Sequence, residues 1–148
     1  MSDLEKTNII VLEDELLVAN FCKRALSTLL DVDVDKDLIS VFKNTEEAKK
    51  GISDLIMSET LDSVRLILSD IDLPEKDEGL ELYQELRAMP QLEKTPYILM
   101  SGRANENLLS QTLEEMKNKD ALLRSLQKPF RVDAFIVILR SLSLIEDK

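Results

Sequence analysis

Five acidic residues, one serine and one lysine carry the chemistry open to this sequence. They lie in four short stretches: Glu13-Asp14-Glu15, Asp70 and Asp72 within "LILSDIDLP", Ser101 closing "YILMS", and Lys128 in "SLQKP". Asp70 ends a hydrophobic run, where a carboxylate is costly to desolvate and needs a partner or a cation. Three carboxylates drawn together cannot all stay ionised unaided. A divalent, oxygen-ligated cation together with the Lys128 ammonium would offset them. Mg2+ suits a site of one or two carboxylates, water and phosphate oxygens. The remaining hydroxyl and ammonium are what a transferred phosphoryl group needs on its equatorial oxygens. Asp70 then reads as a nucleophile aimed at phosphorus.

Composition removes most other chemistry. There is no histidine, so Ser-His-Asp and Cys-His catalysis, His-ligated zinc and a phosphohistidine of the chain's own are excluded. The one cysteine, Cys22, forms neither an internal disulfide nor a CxxC site, and its helical spacing from Val18 and Ala25 places it in the core. A net charge of −10 argues against direct nucleic-acid binding, which needs clustered Lys and Arg to displace counterions. "DVDVDKD" (Asp31–Asp37) opens like a calcium loop, but Lys36 and Phe42 occupy the positions that demand glycine and bidentate glutamate. It reads as a solvated acidic turn. No signal peptide or membrane span is visible, and Arg140 interrupts the longest apolar stretch, so a cytoplasmic protein is expected.

The elements that must position these residues follow from periodicity. "NIIVL", "LISVF", "VRLILSD", "YILMS" and "SLQKP" are short runs of strand type. Between them lie helical periods: about Glu15 to Leu30 with Leu17/Val18, Phe21, Ala25 and Leu29 as its apolar stripe, then "TEEAKKGISDLIMSE" with Thr45 as N-cap. "LELYQELRAM" is a helix ended by Pro90, another spans about Asn105–Lys117, and "VDAFIVILRSLSLI" is the last. Five strands alternating with five helices predict an α/β fold, (βα)5, with a doubly wound parallel sheet of five strands and right-handed crossovers. At 148 residues a single domain, 1–148 with a core of about 8–145, is expected.

In such a sheet, ligands bind outside the carboxyl ends of the strands. Taken singly, each strand end has a bland reading: the "EDE" triplet favours a helix dipole, Asp70 is a turn acid, Ser101 a cap, and Lys-Pro a common pair. Taken together, acid pair, acid, hydroxyl and lysine all fall on one edge of the sheet.

"VLEDE", "LILSDIDLP…GLEL", "ILMSG" and "QKPF", in that order, resemble the receiver domain of two-component response regulators, from about Ile9 to Ile145. The resemblance implies a flavodoxin-like strand order of 2-1-3-4-5. It also implies roles. Asp70 would be the phosphoacceptor for a sensor histidine kinase or a histidine phosphotransfer protein. Asp14 would ligate Mg2+ directly, Glu13 largely through water, and Asp72 through its backbone carbonyl. Ser101 would bond a phosphoryl oxygen and shift inward, and Lys128 would pair with the phosphoryl group, with a cis bond to Pro129. Asp72 and Arg103 would flank the phosphoryl group and tune its lifetime, Asp72 as a base toward water or, as we expect, paired with Arg103 as a lid. Twenty residues after Lys128 leave no room for an effector domain, so output is expected through a downstream target protein or onward relay.

Three features depart from the family pattern. Ser125 stands where an aromatic switch is usual, Ala121-Leu122 replaces a Gly-Ala pair, and Gly79 falls one residue later after Asp70. Two rival readings remain. "LILSDIDLP", "YILMS" and Lys128 also resemble the motifs of haloacid-dehalogenase-type phosphatases, although the order of the motifs differs. A receiver-like interaction module that never uses its phosphate is the other.

Overall fold

The computed structural model describes residues 8–32, 39–57, 64–73, 75–103 and 106–145. Five apolar runs form strands: β1 (Asn8–Leu12), β2 (Ile39–Phe42), β3 (Val64–Asp70), β4 (Tyr97–Ser101) and β5 (Leu123–Gln127). They make one sheet in the order β2-β1-β3-β4-β5, with every neighbouring pair parallel. The helices are α1 (Leu16–Leu29), α2 (Thr45–Met57), α3 (Glu78–Arg87), α4 (Asn107–Lys119) and α5 (Val132–Ser141), with a 3-10 turn at Pro90–Leu92. This is the flavodoxin-like order.

Alternation along the strands sends side chains to two cores. Ile10, Leu12, Ile67, Tyr97 and Leu99 pack with Ile52 of α2, Leu82 and Leu86 of α3, and Leu109 and Leu113 of α4. Ile9, Val11, Leu66, Leu68, Ile98 and Met100 pack with Cys22 and Leu26 of α1 and Phe135 and Leu139 of α5. Burial on both faces is why these strands read as continuous apolar runs. Because all strands run the same way, their carboxyl ends share one edge, and the chemistry-bearing residues arrive there together.

Local structure corrects several boundaries. β5 begins two residues before "SLQKP" and ends at Gln127, so Lys128 and Pro129 lie just beyond it; Lys128 N–H still bonds the Ser101 carbonyl at 2.9 Å. Asn44, not Thr45, caps α2, its Oδ1 accepting from Glu47 N–H at 2.8 Å while Glu47 Oε1 accepts from Lys43 N–H at 3.0 Å. Asn44 is thus the N-cap, and Glu47 reaches past it to the N–H of Lys43. On α1 the buried stripe is Ala19, Cys22 and Leu26, whereas Leu17 is 84% exposed and Phe21 38%. The helix is apolar around more of its circumference than the core needs. Most of the 31–37 acidic turn and Asn105 lie outside the described residues. Among the described residues, no helix is long and apolar enough to cross a membrane.

Candidate functional site

Asp70 is the last residue of β3 and is buried, as is Glu13 immediately after β1. Lys128 reaches between them: Nζ lies 2.6 Å from Asp70 Oδ2 and 2.7 Å from Glu13 Oε1, with Glu15 Oε1 farther away at 3.6 Å. The Lys128–Pro129 bond is cis. Backbone amides hold the acids from the other side. Glu15 N–H donates to Glu13 Oε2 at 3.0 Å, and Asp72 N–H donates to Asp70 Oδ1 at 3.0 Å.

Charge balance in this cluster is incomplete. Burial pushes the Glu13 carboxyl up to about 7, against the pull of the Lys128 ammonium, and the nearby Asp70 carboxylate adds to the rise. Burial also works against the charge of Lys128, but the bonds to Asp70 and Glu13 prevail and hold its pKa above the usual range. One ammonium therefore serves several acids. Glu13 Oε1 has only that shared ammonium beside it, at 2.7 Å.

Glu13, Asp14 and Asp70 each offer an oxygen, and these oxygens lie within 4.8 Å of one another. Asp14 is exposed and Glu13 and Asp70 buried, so the group opens to solvent on one side. Hard oxygen donors, and two buried acids that share one ammonium, fit a divalent cation of the Mg2+ type.

Ser101 closes β4 and is buried; its Oγ accepts from Arg103 N–H at 2.8 Å. The Arg103 side chain crosses to the loop after β3. Nε donates to Asp72 Oδ2 at 3.0 Å and Nη2 to Asp72 Oδ1 at 2.7 Å, a two-pronged pair. Arg103 holds the Asp72 carboxyl below the usual range, and Asp72 with Asp77 holds the guanidinium above its own.

Two supporting residues carry no chemistry of their own. Gly79, in the first turn of α3, donates its N–H to the Ile71 carbonyl at 2.6 Å, and a Cβ there would run into the Asp70 carbonyl. Only glycine lets α3 start this close to the phosphoacceptor candidate. "GL" in "GLEL" was the sequence signal. Asp77, which binds Arg103 and Asp72, was missed because its role depends on a backbone turn that spacing does not reveal. Ser125 lies away from the acids on β5, and Lys117 of α4 donates to its Oγ at 3.2 Å. Beside the acids, Glu15, Leu17, Phe21, Gly102, Lys128 and Phe130 line an open groove between α1 and the loop after β5.

The chain matches no family model and no curated protein by sequence. Solved structures do match it. A sensor protein from Polaromonas sp. JS666 superposes with a TM-score of 0.67 at 17% identity, covering 93% of this chain and 96% of that one. The non-phosphorylated HemR receiver domain from Leptospira biflexa gives 0.62 at 19% identity, covering 96% and 98%. The Mn2+-bound form of response regulator Rcp1 gives 0.60 at 19% identity, covering 96% and 97%. The chain has the fold of response regulator receiver domains.

Proposed function

We propose that residues 8–145 act as a single receiver domain that accepts a phosphoryl group on Asp70 from a phosphohistidine of a sensor histidine kinase or a histidine phosphotransfer protein. An Asp70 carboxylate oxygen attacks phosphorus, the P–N bond breaks, and its electron pair stays on the imidazole nitrogen, which is then protonated. Lys128 neutralises the phosphoryl oxygens, and Ser101 Oγ donates to one of them. Asp14, Glu13, Asp70 and the Asp72 carbonyl are the residues that would hold Mg2+, which when bound screens charge on the phosphoryl oxygens. The reading rests on one observation above others: Asp70, Glu13, Asp14 and Lys128 converge at one edge of the sheet with a surplus of buried negative charge. The chemistry is stoichiometric rather than that of a turnover enzyme, and the protein is expected to work in the cytoplasm. The groove beside Lys128 gives a phosphodonor protein apolar footing next to Asp70.

The test is labelling by acetyl phosphate or phosphoramidate with and without Mg2+. One phosphoryl group per chain, dependent on Mg2+ and absent in Asp70→Asn, is expected. Steady turnover of a phosphate monoester would instead favour the phosphatase reading. No label under any condition would leave an interaction module.

The paired Asp72 and Arg103 favour a lid over a base. An ion pair with partly exposed partners contributes at most about 1 kcal/mol, or about fivefold in a rate. Arg103→Ala is therefore expected to shorten the lifetime of the aspartyl phosphate by up to about fivefold. Slower hydrolysis in Asp72→Ala would instead identify Asp72 as the base.

Output would run through Ser101 and the loop that follows it, because Ser125 has no ring to rotate and already bonds Lys117. Ser125→Ala is expected to leave affinity for a phosphorylation-dependent partner nearly unchanged, while Ser101→Ala weakens its dependence on phosphorylation. A large loss from Ser125→Ala alone, measured by titration of the partner, would refute this.

A further inference from the structure

Asp77 stands before α3 for neither of the usual reasons. An aspartate at that position ordinarily has extended backbone and accepts a hydrogen bond from a first-turn amide. Asp77 instead has φ 65° and ψ 6°, in the left-handed region, and its side chain caps no amide. Glycine takes that conformation without steric cost. The carboxylate turns to Arg103, whose Nη2 donates to Asp77 Oδ1 at 2.8 Å.

The guanidinium has room for both acids. Asp72 takes Nε and one hydrogen of Nη2, and Asp77 takes the other hydrogen of Nη2. Asp77 also donates its backbone N–H to Asp72 Oδ1 at 2.9 Å, and Asp72 N–H in turn donates to Asp70 Oδ1. On the other loop, Arg103 N–H donates to Ser101 Oγ. Asp72 and Asp77, which follow β3, are thus fastened to Arg103, which follows β4.

We propose that Asp77 is a positioning residue of the Asp70 site: by holding Arg103 against Asp72 it fixes Asp72 and Arg103 together beside the phosphoacceptor. That bridge fixes the Asp72 carbonyl for the divalent cation and keeps water from the aspartyl phosphate. The inference rests on the phosphoacceptor reading of Asp70 and extends it to a residue that touches neither cation nor phosphate.

A double-mutant cycle tests it, using the intact protein, Asp77→Gly, Arg103→Ala and the double variant. Two quantities are read: aspartyl-phosphate lifetime after labelling with phosphoramidate and Mg2+, and Mg2+ affinity by calorimetry with the metal alone. Asp77→Gly is expected to melt close to the intact protein, because glycine suits the left-handed turn. Its phosphate lifetime should fall by about fivefold, the limit for a partly exposed ion pair, and its Mg2+ affinity should weaken. Neither loss should occur when Asp77→Gly is added to Arg103→Ala, whereas a purely structural role for Asp77 would persist there. Asp77→Asn, which tolerates the same turn and keeps an acceptor, should retain most of both properties. Strictly additive losses, or Asp77→Gly with unchanged lifetime and unchanged Mg2+ affinity, would overturn the proposal. If the intact protein takes no label, the phosphoacceptor reading fails by itself. The Mg2+ arm then decides the clamp, supporting it if the loss depends on Arg103 and overturning it otherwise.

Discussion

Arg87→Ala is expected to cost the protein about 3 kcal/mol, the lower end for breaking a largely buried ion pair from one side, and to lower the melting temperature by roughly 10 °C. Arg87, at the end of α3, is anchored on four sides. Nε and Nη2 bond the Asp120 carboxylate at 2.8 and 3.3 Å, and Nη1 bonds the Leu92 and Thr95 carbonyls, both at 2.6 Å. The Tyr83 hydroxyl donates to the same carboxylate, and the guanidinium lies 5.8 and 5.7 Å from the Tyr83 and Tyr97 ring centres. Removing the arginine leaves Asp120 with the Tyr83 hydroxyl and the Leu122 N–H alone, and takes a donor from the Leu92 and Thr95 carbonyls. Arg87→Lys should recover little, since an ammonium has no planar fork. Burial alone would raise the Asp120 carboxyl, but Arg87 and Tyr83 prevail and hold it below the usual range. A carboxyl depressed on folding adds stability above its unfolded value of about 3.9. That contribution is lost as pH falls through the folded value, so the intact protein should lose stability below about pH 4 more steeply than Asp120→Asn does. Denaturant melts across that range are the measurement. A loss under about 1 kcal/mol from Arg87→Ala would show the network to be dispensable.

The same residues show where sequence reading reaches and where it stops. The placement of Asp70, Ser101 and Lys128 at one edge of the sheet was legible because parallel strands end on the same side, and that follows from order along the chain. The (βα)5 architecture was legible for a related reason, since strands buried on both faces leave unbroken apolar runs. Leu17 and Phe21 misled because periodicity measures how apolar a helix face is, and α1 is apolar beyond the face it buries. Thr45 misled because Asn44, one residue earlier, is an equally good cap and takes the Glu47 N–H. Asp77 and Arg87 could not be read at all. The first depends on a left-handed turn in a loop, and the second on carbonyls and a carboxylate up to 33 positions away. Polar networks across loops leave no periodic trace.

Mg2+ at a hundred times its dissociation constant is expected to stabilise the folded protein by about 2.7 kcal/mol, and Asp14→Asn is expected to remove most of that gain. Without a cation, Lys128 is the one ammonium within bonding reach of both Asp70 and Glu13 among the described residues, so two buried acids share a single positive charge. A divalent ion relieves that surplus only in the folded state, where chain order and sheet topology bring Glu13, Asp14 and Asp70 together, so its binding energy adds to folding. Asp14 is the right residue to change because it is exposed. Its substitution by asparagine should alter the metal-free protein by no more than about 0.5 kcal/mol, whereas a change at Glu13 or Asp70 would also disturb the pairs with Lys128. A protein of net charge −10 is also stabilised by general screening, but that acts on exposed charges everywhere. It should survive in Asp14→Asn and be matched by sodium at equal ionic strength. Thermal melts of both proteins with Mg2+, and with sodium as the control, separate the two effects. A melting shift of equal size in Asp14→Asn would place the cation elsewhere on the molecule.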